Sequence, residues 1–177
     1  GLRSFGENRV QEGIRKKEWF PDAEWHLIGH LQKNKARQAL QVFDWIHSVD
    51  SLELAEVLNH EAEKQGKIPN ILIQVNIAQE VQKFGVSIGD VFGITKSISK
   101  LPYLKLSGMM VIAPLVTDAE DVRIVFRQGK KLFDQLQEEI GSNFRYLSMG
   151  MSNDYSVAVE EGANMIRIGR VLFGDSE

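Results

Sequence analysis

Residues 146–174 read YLSMGMSNDYSVAVEEGANMIRIGRVLFG. The pattern predicts a strand over residues 144–149, a Gly/Ser/Asn turn, a short helix over residues 154–161 and a second strand that begins at Met165. Both strands end in small residues that expose backbone N–H groups, and the first turn opens onto a helix N-terminus. Because free N–H groups and the helix dipole attract anions, this stretch indicates a phosphate site. Two ordinary strand ends would give the same local pattern, so that alternative stays open.

Composition and charge narrow the class of protein. The chain has 177 residues, of which 43% are hydrophobic and 25% charged, as in a globular domain with a substantial core. Its net charge of -3 gives no electrostatic reason to expect nucleic acid or an anionic membrane as a partner. The absence of cysteine excludes disulfides and thiolate zinc sites, and no apolar run reaches membrane-spanning length. We expect a cytoplasmic protein whose residues 1–177 form a single domain.

Short apolar runs alternate along the chain with stretches of helical spacing. The clearest helix is predicted within residues 119–140, where Val125, Phe126 and Phe133 share one apolar stripe. Regular strand–helix alternation predicts an α/β fold, a parallel sheet with helices outside it. The predicted strands cover residues 2–5, 25–28, 45–49, 71–77, 104–112, 144–147 and 165–173.

The number of predicted strands bears on the topology. A closed (β/α)8 barrel has eight strands, whereas an open doubly wound sheet tolerates seven but usually carries a Gly-rich fingerprint after its first strand. The corresponding turn here, Gly6-Glu7-Asn8-Arg9, lacks that fingerprint. We therefore expect a TIM-type barrel without its first strand, with seven βα units visible and a domain that is incomplete at its N-terminus.

Side-chain alternation on the predicted strands indicates which residues point into the barrel. It places Gln74 and Asn76 inside near the carboxyl mouth, His26 inside on an earlier strand, and Arg167 inside at the end of the last strand. A guanidinium has only donors and keeps its charge, so a buried one needs an acceptor. That acceptor is either an acid such as Glu7, in a structural ion pair, or a ligand at the barrel mouth.

Six motifs spread over the chain are specific rather than generic. They read FGEN at residues 5–8, WHLIGHLQKNK at 25–35, IHSVD at 46–50, SGMM at 107–110, LSMGMSND at 147–154 and IRIGR at 166–170. Together they closely resemble the pyridoxal phosphate homeostasis protein family, once called proline synthetase co-transcribed bacterial homologues.

The resemblance implies a fold-type III barrel for pyridoxal 5'-phosphate (PLP, the active form of vitamin B6), like the N-terminal domain of alanine racemase. It implies a non-catalytic, monomeric protein that buffers or delivers PLP and so balances amino-acid and keto-acid metabolism. PLP-dependent apo-enzymes are candidate partners. The alternative is a fold-type III PLP enzyme such as an amino-acid racemase.

The resemblance also implies which residues contact PLP, with no catalytic residue and no metal ligand among them. Ser152 and the backbone at Gly169 and Arg170 would hold the phosphate. The remaining contacts would come from Arg167 against the pyridine nitrogen, Asn8, Met149 and His30. Because a guanidinium cannot accept a hydrogen bond, Arg167 would donate to an unprotonated pyridine nitrogen, which makes PLP a weaker electron sink. Such a site favours holding the aldehyde over broad carbanion chemistry.

In the family a lysine at the end of the first strand carries the aldehyde as a Schiff base. This chain contains no such motif, and we expect the lysine upstream of Gly1. Lys83 resembles a family lysine in a loop that rims the barrel mouth, although a solvated lysine fits the sequence equally well.

Overall fold

Seven parallel strands form one sheet in which neighbours along the chain are also neighbours in space. The computed structural model describes residues 1–80 and 82–174. Within them, side chains of the third strand contact those of the sixth across the interior, so the sheet curls into a nearly closed barrel. This confirms the predicted fold class. The strands are β1 (Ser4–Glu7), β2 (Glu24–Leu27), β3 (Trp45–Val49), β4 (Asn70–Val75), β5 (Lys105–Val111), β6 (Tyr146–Met151) and β7 (Met165–Arg167).

Helices connect the strands and cover the outside of the sheet. Among the described residues, none of them is long and apolar enough to cross a bilayer. The third helix shows how the sequence sets its limits, because Ser51 accepts a hydrogen bond from the N–H of Leu54 at its start and Gly66 ends it in the left-handed conformation. The helices are α1 (Val10–Lys17), α2 (Ala36–Val42), α3 (Leu52–Gln65), α4 (Val91–Ile98), α5 (Arg123–Ile140), α6 (Tyr155–Glu160) and α7 (Arg170–Phe173), and 3-10 turns precede α2 (Lys33–Lys35) and α5 (Ala119–Val122).

Alternation along the strands divides the buried side chains into two sets. The larger set lies between sheet and helices and includes Leu27, Ile46 and Phe126. The smaller set fills the barrel interior around Trp45 and Met110. Polar side chains also lie in this interior. The strand faces that side-chain alternation predicted to point into the barrel therefore do point into it.

The prediction for the last strand was wrong in its extent. β7 covers only Met165–Arg167, and residues 170–173, predicted as strand, form α7. The apolar side chains of Val171 and Phe173 are largely exposed, so the hydrophobic run does not mark a buried strand. The first strand is also shifted, since it begins at Ser4 while Leu2, predicted as strand, is exposed.

Candidate functional site

The turns that follow β6 and β7 touch each other at the carboxyl mouth of the barrel. The backbone N–H of Gly169 donates to Oγ of Ser152 at 3.3 Å. A Cβ atom added at Gly169 would meet no other atom within 4 Å, so the space in front of this backbone is open. Arg170 follows as the first residue of α7 and is exposed. The Ser152 hydroxyl can donate to an anion while it accepts from Gly169.

Helix α6, which follows the first of these turns, is fixed at both ends. At its start, Oδ1 of the buried Asp154 accepts a hydrogen bond from the N–H of Met151 at 2.6 Å. At its end, Glu161 accepts from Arg123 at 3.0 Å and from Arg127 at 2.9 Å, both on α5. These contacts hold the Met151–Asp154 turn, and with it Ser152, in one place relative to the sheet.

Arg167 lies inside the barrel, as alternation predicts. Its Nη1 donates to Oγ of Ser148 at 2.8 Å and its Nη2 to the carbonyl oxygen of Val111 at 3.0 Å. Desolvation lowers the pKa of Arg167 to about 10, with the nearby Asp154 carboxylate opposing the shift, so the side chain remains a cation at neutral pH. These two hydrogen bonds occupy two of its five N–H donors, which leaves others for a ligand.

The structural ion pair considered for Arg167 is not formed. Glu7 instead accepts a hydrogen bond from Nζ of Lys16 on α1, at 2.6 Å. The strand alternation explains this, because Phe5, two residues earlier on the same face of β1, stacks on Trp25 beneath the helices. Glu7 therefore faces the helix layer and not the barrel interior.

Two buried histidines extend the polar interior away from Arg167. Nδ1 of His47 lies 3.3 Å from Oγ of Ser148, and Nε2 of His47 lies 2.9 Å from Nδ1 of His26. Nε2 of His26 then lies 3.0 Å from Oε1 of Glu24, at the start of β2. Side-chain alternation placed His26 inside the barrel in the sequence, but His47 and Ser148 were not among the predicted site residues. The period-two alternation that placed His26 inside also applies to His47 and Ser148 and could have found them.

Burial determines the charge state of both rings. Desolvation lowers the pKa of His26, with partial opposition from the Glu24 carboxylate. Desolvation also lowers the pKa of His47 well below its ordinary value, and the charge that His26 would carry if protonated and the positive charge of Arg167 lower it further. Both imidazoles are therefore neutral at neutral pH.

This charge state predicts a pH-dependent stability. We expect the free energy of unfolding to fall between about pH 7.5 and about pH 5.5, and to fall less steeply in a His47→Asn variant. Because the folded-state pKa values lie below the ordinary value of about 6.5, unfolding takes up protons in acid. The stabilisation is complete above about pH 6.5 and is lost as the pH falls towards the folded-state pKa values, by at most about 1.4 kcal/mol per pH unit for each proton. Urea titrations at both pH values measure it.

His60→Asn is the matched control for that titration, because His60 is exposed on α3. It removes an imidazole without touching the interior. Equal slopes for the wild-type protein and His47→Asn would contradict the prediction.

The other residues of the predicted site lie in different surroundings. Asn8 is exposed at the carboxyl end of β1, where its carbonyl oxygen would be 2.2 Å from a Cβ atom added at Gly29. Met149 is completely buried in the core against Gly129 of α5, so its side chain does not reach the barrel interior. His30 lies nearer the mouth, with its ring stacked on Phe84 at 3.7 Å between centroids.

A cavity of about 200 Å³ opens at the mouth beside β4 and β5. Ile112 lines it and directly follows Val111, whose carbonyl oxygen accepts a hydrogen bond from Arg167. Lys83 stands on its rim, where Nζ donates to Oε1 of Glu80 at 2.7 Å and to the carbonyl oxygen of Ala113 at 3.3 Å. The partly buried Arg167 and the turns at Ser152 and Gly169 do not line this cavity, so the mouth has an open space beside β4 and β5 in addition to the cation and the two turns.

Comparison with known proteins identifies the class of this domain and the family to which the chain belongs. Residues 1–177 match the family model "Alanine racemase, N-terminal domain". A relative from Aquifex aeolicus, named pyridoxal phosphate homeostasis protein, is 42% identical over 177 residues, which is 99% of this chain and 78% of that protein. The chain belongs to the pyridoxal phosphate homeostasis protein family.

Solved structures agree with this assignment. PipY of Synechococcus elongatus without PLP is 44% identical, with a TM-score of 0.92 over 98% of this chain and 83% of that one. The same protein with PLP bound has a TM-score of 0.90 at 43% identity, over 98% of this chain and 82% of that one. An alanine racemase from Clostridium difficile, 17% identical over 99% of this chain and 46% of that one, has a TM-score of 0.84 and shows the fold alone.

Proposed function

We propose that this chain binds PLP at the carboxyl mouth of its barrel and acts in PLP homeostasis. The observation that carries the proposal is the position of Arg167, a donor that is charged at neutral pH and is held inside the barrel next to the paired turns of Ser152 and Gly169. The PLP-bound form of PipY, a relative of nearly the same fold, supports it.

The donor groups at the mouth fit the chemistry of PLP. The Ser152 hydroxyl and the backbone around Gly169 and Arg170 would hold the phosphate. Gly169 has no side chain, which leaves room for the phosphate in front of this backbone. Arg167 faces the heterocycle and donates to its nitrogen, while Asn8 lines the rim. When bound, PLP supplies a reactive aldehyde and an electron sink. Arg167 makes PLP a weaker electron sink, because a guanidinium can only donate a hydrogen bond and so favours a ring nitrogen that carries no proton.

The resemblance implied that Met149 contacts PLP, and the proposal limits this contact to the backbone of Met149. Its side chain is enclosed between β6 and α5, so only its backbone is available to a ligand. The lysine expected upstream of Gly1 stays a prediction, as do a cytoplasmic location, a monomeric state and delivery of PLP to apo-enzymes.

The proposal includes the absence of substrate turnover. The racemase alternative has a direct test, because racemisation exchanges the α-hydrogen of an amino acid with solvent. The PLP-loaded full-length protein is incubated in D₂O with D- and L-amino acids, and the α-proton signals are followed by ¹H NMR. We expect exchange no faster than with free PLP. Faster exchange that disappears in Arg167→Ala would establish the enzyme instead.

The phosphate contact gives a prediction of its own. We expect Ser152→Ala to weaken PLP binding by about tenfold, the effect of one hydrogen bond to a charged group, and to leave pyridoxal binding unchanged. Fluorescence or absorbance titration of the full-length protein with each ligand measures both. Ser99→Ala, at an exposed hydroxyl following α4, is the control that should bind PLP normally. Equal weakening for PLP and pyridoxal would place Ser152 away from the phosphate.

A further inference from the structure

A continuous hydrogen-bonded path crosses the barrel from its amino end to Arg167. It runs from Oε1 of Glu24 through both ring nitrogens of His26, both ring nitrogens of His47 and Oγ of Ser148 to Nη1 of Arg167. These residues belong to β2, β3, β6 and β7, and the distances lie between 2.8 and 3.3 Å. We call Glu24, His26, His47 and Ser148 the interior relay.

The two ends of the path fix the direction of every hydrogen bond in it. The carboxylate of Glu24 only accepts, so Nε2 of His26 carries a proton and Nδ1 of this neutral ring is bare. Nε2 of His47 must then donate to His26, which leaves Nδ1 of His47 bare to accept from the hydroxyl of Ser148. Because the Ser148 proton is used in this way, its lone pairs are available to Arg167, which only donates.

We propose that the interior relay positions Arg167 for the heterocycle of the ligand, by holding Ser148 with its lone pairs towards the guanidinium. The inference rests on the proposed function, since PLP is the ligand whose ring Arg167 would face. Glu24, at the opposite end of the barrel from the mouth, thereby affects ligand binding without contacting the ligand.

The groups packed around the relay favour this single arrangement. Trp45 stacks on His26 with centroids 5.4 Å apart and an angle of 10° between planes, which restricts rotation of that ring. Hydrogen bonds, including that from His26, outweigh desolvation and keep the pKa of Glu24 below its ordinary value, so the accepting end is ionised. Asp44 adds a negative charge near His26, while Arg167 opposes a positive charge on His47.

The bonding directions are tested on the ligand-free protein by long-range ¹H–¹⁵N correlation NMR of the imidazole rings at about pH 7.5. His26 and His47, assigned by their loss in Asn variants, should both be neutral with the proton on Nε2. A proton on Nδ1 of His47, or a cationic ring at either position, would overturn the relay. This readout does not depend on PLP.

The link to ligand binding is tested at the far end of the path. Glu24→Leu removes the accepting end and should weaken PLP binding by about threefold to tenfold, less than the direct loss of a hydrogen bond to a charged group, because Glu24 acts on the ligand only through the relay. Its ring signals should show that His26 no longer holds one tautomer. Glu24→Gln keeps an acceptor oxygen and should stay within about twofold of wild type. Glu56→Leu, on the exposed side of α3, is the control for removing a surface acid.

The possible outcomes separate this inference from the function on which it rests. If wild-type protein binds PLP and Glu24→Leu binds it equally well, the relay has no positioning role and the inference alone is wrong. If wild-type protein does not bind PLP at all, the proposed function is wrong, and the ligand part of the inference with it.

Discussion

Replacing Arg167 by methionine is expected to weaken PLP binding by about tenfold to a hundredfold. The substitution keeps an unbranched side chain of similar length and removes every N–H donor. The loss corresponds to one hydrogen bond from a charged group, worth about 1.5–3 kcal/mol. Titration of the full-length protein with PLP and with pyridoxal should show the same weakening for both, because the contact is to the ring and not to the phosphate.

The change also leaves two interior acceptors without their donor, Oγ of Ser148 and the carbonyl oxygen of Val111. Each costs about 1–3 kcal/mol when left unsatisfied, although removing a desolvated cation offsets part of this. Urea unfolding must therefore accompany the titration, so that a folding defect is not taken for a binding defect.

Arg145→Met is the matched control for Arg167→Met. Arg145 is exposed immediately before β6, at the opposite end of the barrel, with its guanidinium 5.4 Å from the ring centre of Tyr146. We expect PLP binding to be unchanged in this variant. Unchanged binding in Arg167→Met would refute the proposed role of the guanidinium, and equal weakening in both variants would point to a nonspecific charge effect.

The interior position of Arg167 could be predicted from the sequence because it follows from local side-chain alternation, and the regular alternation of strands and helices predicted the parallel barrel. Residues two apart on a strand share a face, and this holds whatever the rest of the chain does. The end of β7 was predicted wrongly because Val171, Leu172 and Phe173 look like buried strand residues. In the structure they are exposed on a short helix that starts after Gly169.

The partners of Arg167 needed the three-dimensional structure. His47 and Ser148 are 101 residues apart in sequence and meet only because the sheet curls enough for β3 and β6 to face each other. Glu7 seemed as good an acceptor in the sequence, and only the direction of its side chain excludes it. Site geometry therefore depended on the closure of the barrel, which no local pattern specifies.

The neighbouring strands β5 and β6 lie so close together that one position of β5 must be glycine. Gly108 has φ of +156° and lies opposite Tyr146 of β6, and a Cβ atom added there would be 1.9 Å from the carbonyl oxygen of Tyr146. The nearby carbonyl carbon and nitrogen, at 2.7 and 2.8 Å, belong to the same backbone and cannot turn aside. An alanine therefore requires β5 and β6 to separate and break their ladder.

We expect Gly108→Ala to lower the free energy of unfolding by about 4 kcal/mol or more, among the largest effects of single substitutions. Gly93→Ala is the matched control, because Gly93 is exposed within α4 and a Cβ atom there meets nothing within 4 Å. That change should raise stability by about 0.4–1 kcal/mol, since alanine restricts the unfolded chain and favours helix. Urea unfolding followed by circular dichroism compares the two. A Gly108→Ala protein as stable as wild type would show that β5 and β6 are not packed as closely as described, and the interior path from His47 to Ser148 would then lack its basis.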